Sequence, residues 1–278
     1  CLSFFRFRSY QMNRRQIVSA AVAAAVSLVL VGCGDKTPQE LKVGATSGPH
    51  AAIVAEAAKV AAKSGLKVKV VEFTDYITPN RALADKALDV NVYQHEPFLK
   101  NFNKNQNTNL VKVADAVVQP MGLYSDTVKS LEAVPEGAKI AIPNDPTNGG
   151  RALVLLKAAG LIDLKPGVTG TTATVADITA NPKAVKVVEL EAAQLPRSLE
   201  DVDVACVPMN YAISGKLSPE KQGFYFESRK APFALMVIAA RPDNAEAKNV
   251  QAFVKAYQSP EVKAFIEKPF NGAVKAAW

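Results

Sequence analysis

From residue 41 to its end, the chain alternates short apolar runs of strand-like pattern with amphipathic stretches of helical period. "LKVGATS" (41–47), "LKVKVVEF" (66–73) and "LDVNVYQ" (88–94) read as strands; "PHAAIVAEAAKVAAKSG" (49–65) and "TPNRALADKA" (78–87) between them read as helices. This alternation predicts parallel βαβ units, because a parallel strand pair needs a crossover long enough to hold a helix. After the apolar stretch "LVKVADAVVQPMGLYS" (110–125) the rhythm starts again with "AKIAIPND", a helix expected from Gly150, "AVKVVELE" (184–191) and "VDVACVPM". "APFALMVIAARPD" (231–243) predicts a late strand followed by two helical segments. Two such sets joined by extended segments predict an α/β fold of two lobes with a cleft between them. In open α/β sheets a ligand sits beyond the carboxyl ends of the strands. "TSGPH", "EFTDY", "VYQH", "PNDPTNGGR" and "PMNY" fall at those ends.

The segment before residue 41 has a different character. "MNRRQIVSAAVAAAVSLVLVGC" (12–33) opens with Arg14 and Arg15, continues through an apolar run and ends in small residues before Cys33, the layout of a secretory signal peptide. The run is shorter than the roughly 20 residues a spanning helix needs. "LVGC" resembles a bacterial lipobox, which makes Cys33 the expected lipidation site. Residues 1–32 are then the leader, with 1–11 upstream of an expected start at Met12, and 33–40 a lipid-anchored tether. The leader holds four of the 33 basic residues and no acidic one, so most of the formal charge of +7 belongs to it. What remains is too evenly balanced for nucleic-acid binding.

Chemistry-bearing clusters are scarce. With Cys33 lipidated, Cys206 has no disulfide partner, and its apolar surroundings predict a buried strand residue. His50 and His95 lie far apart with no Cys or carboxylate cluster at ligand spacing, so neither a metal nor another cofactor is expected. No nucleophile, base and orienting acid stand in a recognisable pattern.

"IPNDPTNGGRALVLLKAAGLI" (142–162) is the most suggestive stretch. Glycines at a helix start allow close backbone approach, and free N–H groups there favour an anion. Arg151 adds a planar fork of donors that suits a carboxylate or a phosphate. The stretch carries neither a P-loop nor a dinucleotide fingerprint.

"VGATSGPHA", "VEFTDYITPNRALADKALDVNVYQHEPFL", "QPMGLYS", "IPNDPTNGGRALVLLKAAGLI", "VELEAAQLPRSLEDVD", "MNYA" and "GAVKAAW", taken in order, closely resemble the NlpA-type methionine-binding lipoproteins of ABC importers. The resemblance implies a periplasmic-binding-protein-like fold. Residues 41–120 plus 237–278 would form lobe 1 and 121–236 lobe 2, with "VVQPMG" and "MVIAAR" as the crossings and Met121 and Gly122 serving the hinge. It implies a lipid-anchored protein on the outer side of a bacterial membrane that captures methionine, in the L form, and delivers it to a permease and its ATPase. Arg151 would bind the ligand carboxylate, Asn148 and Gly150 would add loop donors, and Asn210 would contact the amino-acid head group. Pro208 and Met209 replace the Asn-Gly or Asn-Thr common before that asparagine. Phe73, Tyr76, Tyr93 and His95 would line the side-chain pocket, where a polarisable thioether suits aromatic rings; on spacing alone such residues are more often plain core. Asp75 and Glu96 could meet the ligand ammonium or be solvated loop carboxylates, and His50 has no assigned role. Another amino acid, a short methionine peptide or a small-acid lyase on the same scaffold are the alternatives.

Overall fold

The computed structural model describes residues 40–278, so the expected leader, the lipidation site Cys33 and tether residues 34–39 lie outside the described residues. Leu41–Thr46 (β1), Pro49–Lys63 (α1), Val68–Phe73 (β2), Thr78–Ala84 (α2), Val90–His95 (β3), Glu96–Gln106 (α3) and Val111–Val118 (β4) form the first run. Met121–Tyr124 (β5), Lys139–Pro143 (β6), Pro146–Ala158 (α4), Asp163–Leu164 (β7), Ile178–Ala180 (β8) and Lys186–Leu190 (β9) follow. Next come Leu195–Ser198 (α5), Val204–Pro208 (β10), Met209–Ser214 (α6) and Gly223–Phe226 (β11). Leu235–Ala240 (β12), Lys248–Tyr257 (α7), Pro260–Glu267 (α8) and Lys275–Ala276 (β13) close the chain.

The strands build two principal sheets. One has the order β13-β4-β12-β3-β1-β2 and the other β11-β5-β10-β6-β9, with β7 and β8 forming a small separate pair. The expected parallel pairing holds in the middle of each: β1 with β2 and β3, and β6 with β9 and β10. β12 is antiparallel to both β3 and β4, so the late strand returns into the heart of the first sheet.

The apolar stretch 110–125 breaks at Gln119–Pro120, where the chain leaves the six-stranded sheet for the five-stranded one. It returns through residues 227–234, between β11 and β12; "MVIAAR" lies mostly within β12 and does not itself cross. The Gln119 amide N–H donates to Ala234 O at 2.7 Å, tying the two crossings together.

Each sheet has its own core. Leu41, Val43, Val90 and Ile238 meet Ile53 and Val54 of α1, Phe253 and Tyr257 of α7, and Val262 and Ile266 of α8. Ile140, Ile142 and Cys206 meet Leu153 and Leu156 of α4 on the other sheet. Full burial of such side chains is worth about 1.5–3 kcal/mol each, so each half is held largely by its own apolar layer. Among the described residues no helix is long and apolar enough to cross a membrane.

The start of α4 differs from expectation. Asp145 caps it, accepting from the Asn148 amide at 2.9 Å, and the helix begins at Pro146, so Gly149 and Gly150 lie inside it. A Cβ at Gly149 would stand 2.8 Å from Pro143 O, and one at Gly150 would stand 2.5 Å from Gly170 O. These glycines let the helix pack against backbone, and this role replaces the one expected of them, an open loop for a ligand.

Candidate functional site

The carboxyl ends of β3 and β10, the start of α4 and the first crossing converge on a small cavity. Of the expected site residues, Tyr76, Tyr93, His95, Asn148, Arg151 and Asn210 line it. Gln94, Phe98, Gln119, Pro208, Met209 and Met236 complete the wall.

One side of the cavity is aromatic and firmly held. The Tyr93 hydroxyl donates to Tyr76 O at 2.8 Å, and the Tyr76 ring stacks at 4.8 Å on Tyr211 of α6. Phe98 stands edge-on to Tyr76, Tyr93 and His95. Burial pushes the Tyr76 and Tyr93 phenols well above their ordinary pKa, so both remain donors. Asn80 and Asn91 behind this wall join its Gln94 in a buried amide network: Gln94 Nε2 donates to Asn80 Oδ1 at 2.7 Å and Asn80 Nδ2 returns a bond to Gln94 Oε1 at 2.7 Å. With these partners satisfied, the amides stiffen β3 against α2 without exposing unmet polar groups.

His95 has a defined tautomer. The Phe98 amide donates to Nδ1 at 3.1 Å, so the single proton of the neutral ring sits on Nε2 and points to Asn148 Oδ1, 3.1 Å away. Burial, aided by the nearby Arg151 charge, lowers the His95 pKa to about 3, which keeps the ring neutral. Asn148 Nδ2 in turn faces both Asp145 oxygens at 3.1 Å. The Asn148 amide group is therefore spent on protein partners, and it links His95 to the helix that carries Arg151.

Arg151 is 3% exposed and makes a two-pronged pair with Glu227 on the second crossing. Nη2 donates to Glu227 Oε2 at 2.6 Å, and Nε lies 3.2 Å from each carboxylate oxygen. Nη2 also reaches Gln119 O at 3.1 Å, and Nη1 faces Asn148 Oδ1 at 3.4 Å. Glu227, which does not itself line the cavity, offsets the guanidinium charge from the second crossing.

Three buried polar atoms of the cavity wall have no hydrogen-bond partner among the described residues: Gln119 Oε1, Gln119 Nε2 and Asn210 Nδ2. Asn210 Oδ1 already accepts from the Tyr76 hydroxyl at 2.6 Å. Unmet buried groups of this kind cost about 1–3 kcal/mol each, a cost that a polar ligand removes. Asn210 lies inside the first turn of α6 and does not cap it; Pro208 ends β10, and Met209 accepts a hydrogen bond from the Tyr124 hydroxyl through sulfur at 3.6 Å.

Other expected site residues are elsewhere. Phe73 shares a face of β2 with Val71, and both pack on the satellite cluster of Leu83, Leu88, Leu99 and Phe102, so Phe73 is core and not pocket wall. Asp75 accepts the Ile77 and Thr78 amides at 2.7 Å, fixing the loop that presents Tyr76. Burial alone would raise the Asp75 carboxyl, but these bonds outweigh it and hold it below its ordinary value. Glu96 pairs at the surface with Lys100 and Lys112. His50 is fully buried with neither ring nitrogen partnered among the described residues. Gln119 was legible as an isolated amide before proline in an apolar run; Glu227, in the charged stretch "ESRK", carries no such signal.

Two α/β halves meeting around an aromatic cavity, with Arg151 and unmet amides at one end, define a small-ligand receptor of the periplasmic-binding-protein type. Residues 41–278 match the NlpA lipoprotein family, and the chain belongs to it. It is 45% identical over 265 residues to the D-methionine-binding lipoprotein MetQ of Escherichia coli strain K12, covering 93% of this chain and 97% of that one. It is 44% identical to a probable D-methionine-binding lipoprotein MetQ of Vibrio cholerae, covering 92% and 96% of the two chains. Its fold superposes with a TM-score of 0.83 on a nutrient-binding protein from Burkholderia cenocepacia bound to methionine, at 46% identity, covering 86% of this chain and all of the other.

Proposed function

We propose that this protein is the substrate-binding component of an ABC importer, anchored by lipid at Cys33 on the outer side of a bacterial membrane, and that it captures methionine for a permease and its ATPase. The observation that carries the reading is the division of the cavity wall. Its aromatic side has internal hydrogen bonds and leaves only apolar surface, whereas Gln119 and Asn210 at the other side hold polar groups in want of partners. In this reading the Asn210 and Gln119 amides and the Arg151 guanidinium take the carboxylate, and Gln119 Oε1 takes the ammonium. Tyr76, Tyr93, Phe98 and Met236 enclose the thioether.

The lobes follow the sheets, 41–120 with the C-terminal part of the chain against the middle, and they shut by rotation about Gln119–Met121 and 227–234. His95 is spent on orienting contacts, with both ring nitrogens bonded to the protein, which favours capture over turnover.

Calorimetric titration of purified, ligand-stripped protein with each enantiomer of methionine tests the reading. One-to-one binding is expected, with Asn210→Ala or Arg151→Ala weakening it at least tenfold. Wild-type affinity in both variants would overturn the site. Lack of any methionine binding by the wild-type protein would overturn the function. Cys33→Ala is expected to abolish fatty-acid labelling.

A further inference from the structure

Two hydrogen bonds join the halves outside the cavity. The Tyr211 hydroxyl donates to Thr74 O at 2.9 Å, and Ser214 Oγ lies 3.2 Å from Ser47 O. The two acceptors are matched to the two donors by the fold. Thr46 and Phe73 are register partners at the ends of neighbouring parallel strands, so Ser47 and Thr74 leave the six-stranded sheet side by side. Tyr211 and Ser214 are three residues apart on α6 of the other half and so share one face of that helix.

The fit is close. Gly48, at φ 95°, approaches Ser214 so tightly that a Cβ would collide with its Oγ. Ser214 divides its single proton between Asn210 O at 2.8 Å and Ser47 O at 3.2 Å, which leaves Tyr211 as the stronger of the two ties. None of these four residues is among those lining the cavity.

We propose that Tyr211 is a positioning residue that sets how long the closed state lasts, by latching α6 to the Thr74 carbonyl across the seam without touching the ligand. The inference rests on the reading that the halves close around methionine. Closure brings hydroxyl and carbonyl together, and opening returns both to water. The bond therefore adds to the closed state alone and slows release. Ser214 adds a weaker tie of the same kind.

The test compares Tyr211→Phe and Ser214→Ala with the wild-type protein by stopped-flow displacement of methionine. Phenylalanine keeps the ring on Tyr76 and removes only the hydroxyl. Release from Tyr211→Phe is expected to be about three- to tenfold faster, the worth of one hydrogen bond, with the association rate unchanged because the latch forms after encounter. The ratio of affinities for methionine and its S-ethyl analogue is expected to stay constant, since the cavity wall is untouched. The melting temperature of the ligand-free protein is expected to stay constant too. Ser214→Ala is expected to show the same pattern with a smaller change.

Wild-type release rates, an altered ligand preference, or a loss of ligand-free stability without faster release would each overturn the latch while leaving the receptor reading in place. Failure of the wild-type protein to bind either enantiomer would overturn both.

Discussion

Replacing Glu227 by glutamine isolates the buried ion pair beside the site. Arg151 is 3% exposed and Glu227 11%, and the carboxylate receives both Nε and Nη2 of the guanidinium. An arginine cannot lose its charge, so removing the carboxylate strands a buried cation. Breaking such a pair costs about 3–5 kcal/mol, and because the Gln119 carbonyl and Asn148 still hold Nη2 and Nη1, the lower end, about 3 kcal/mol, is expected. For a domain of this size that is a fall of roughly 6–12 °C in melting temperature. Scanning calorimetry and urea unfolding of ligand-stripped protein measure it. The Arg151→Met, Glu227→Met double variant is expected to be far less damaged than the sum of its single changes, because neither charge is then left alone. A loss below about 1 kcal/mol for Glu227→Gln, or additive costs in the double variant, would mean that the pair behaves as an exposed one and that the reasoning fails.

Other outcomes follow from the same geometry. Burial lowers the His50 and His95 pKa values from 6.5 to about 4 and about 3, so the unfolded chain takes up these protons first; stability is full above pH 6.5 and falls on acidification by about 1.4 kcal/mol per pH unit for each ring. Urea midpoints of His50→Met between pH 7 and 4.5 are expected to fall about half as steeply as those of the wild type, and equal slopes would refute the assignment. Gly150→Ala drives a Cβ against Gly170 O and Ala173 O and is expected to cost about 1–3 kcal/mol in urea unfolding; a neutral change would mean that this contact yields. Phe73→Leu is expected to lose about 1 kcal/mol of stability with methionine affinity unchanged, and a weakened affinity would return Phe73 to the pocket wall.

What could be read from the sequence and what could not divide along the range of the interactions. Strand and helix alternation is a local property of hydrophobic period, so the parallel pairs at the middle of each sheet and the nearness of Tyr76, Tyr93, His95, Asn148, Arg151 and Asn210 to strand ends are legible in the sequence. Phe73 misled because its position at a strand end is the same as that of a pocket residue; which face of β2 is covered depends on α2 and α3, which pack there only in the folded chain. The glycines of α4 misled in a related way, since close approach by Pro143 and Gly170 backbone and close approach by a ligand ask for the same missing side chain.

Glu227 was hidden for a deeper reason. Its pairing with Arg151 spans 76 positions and depends on the second crossing returning past the start of α4, a tertiary fact with no local trace. Yet this residue changes what Arg151 can do. A lone buried guanidinium would favour any anion, phosphate and dicarboxylate included. A guanidinium already neutralised by a carboxylate gains little from net negative charge and favours a ligand that brings both signs at once. The charge that the sequence displays at Arg151 is thus offset by a partner that it conceals.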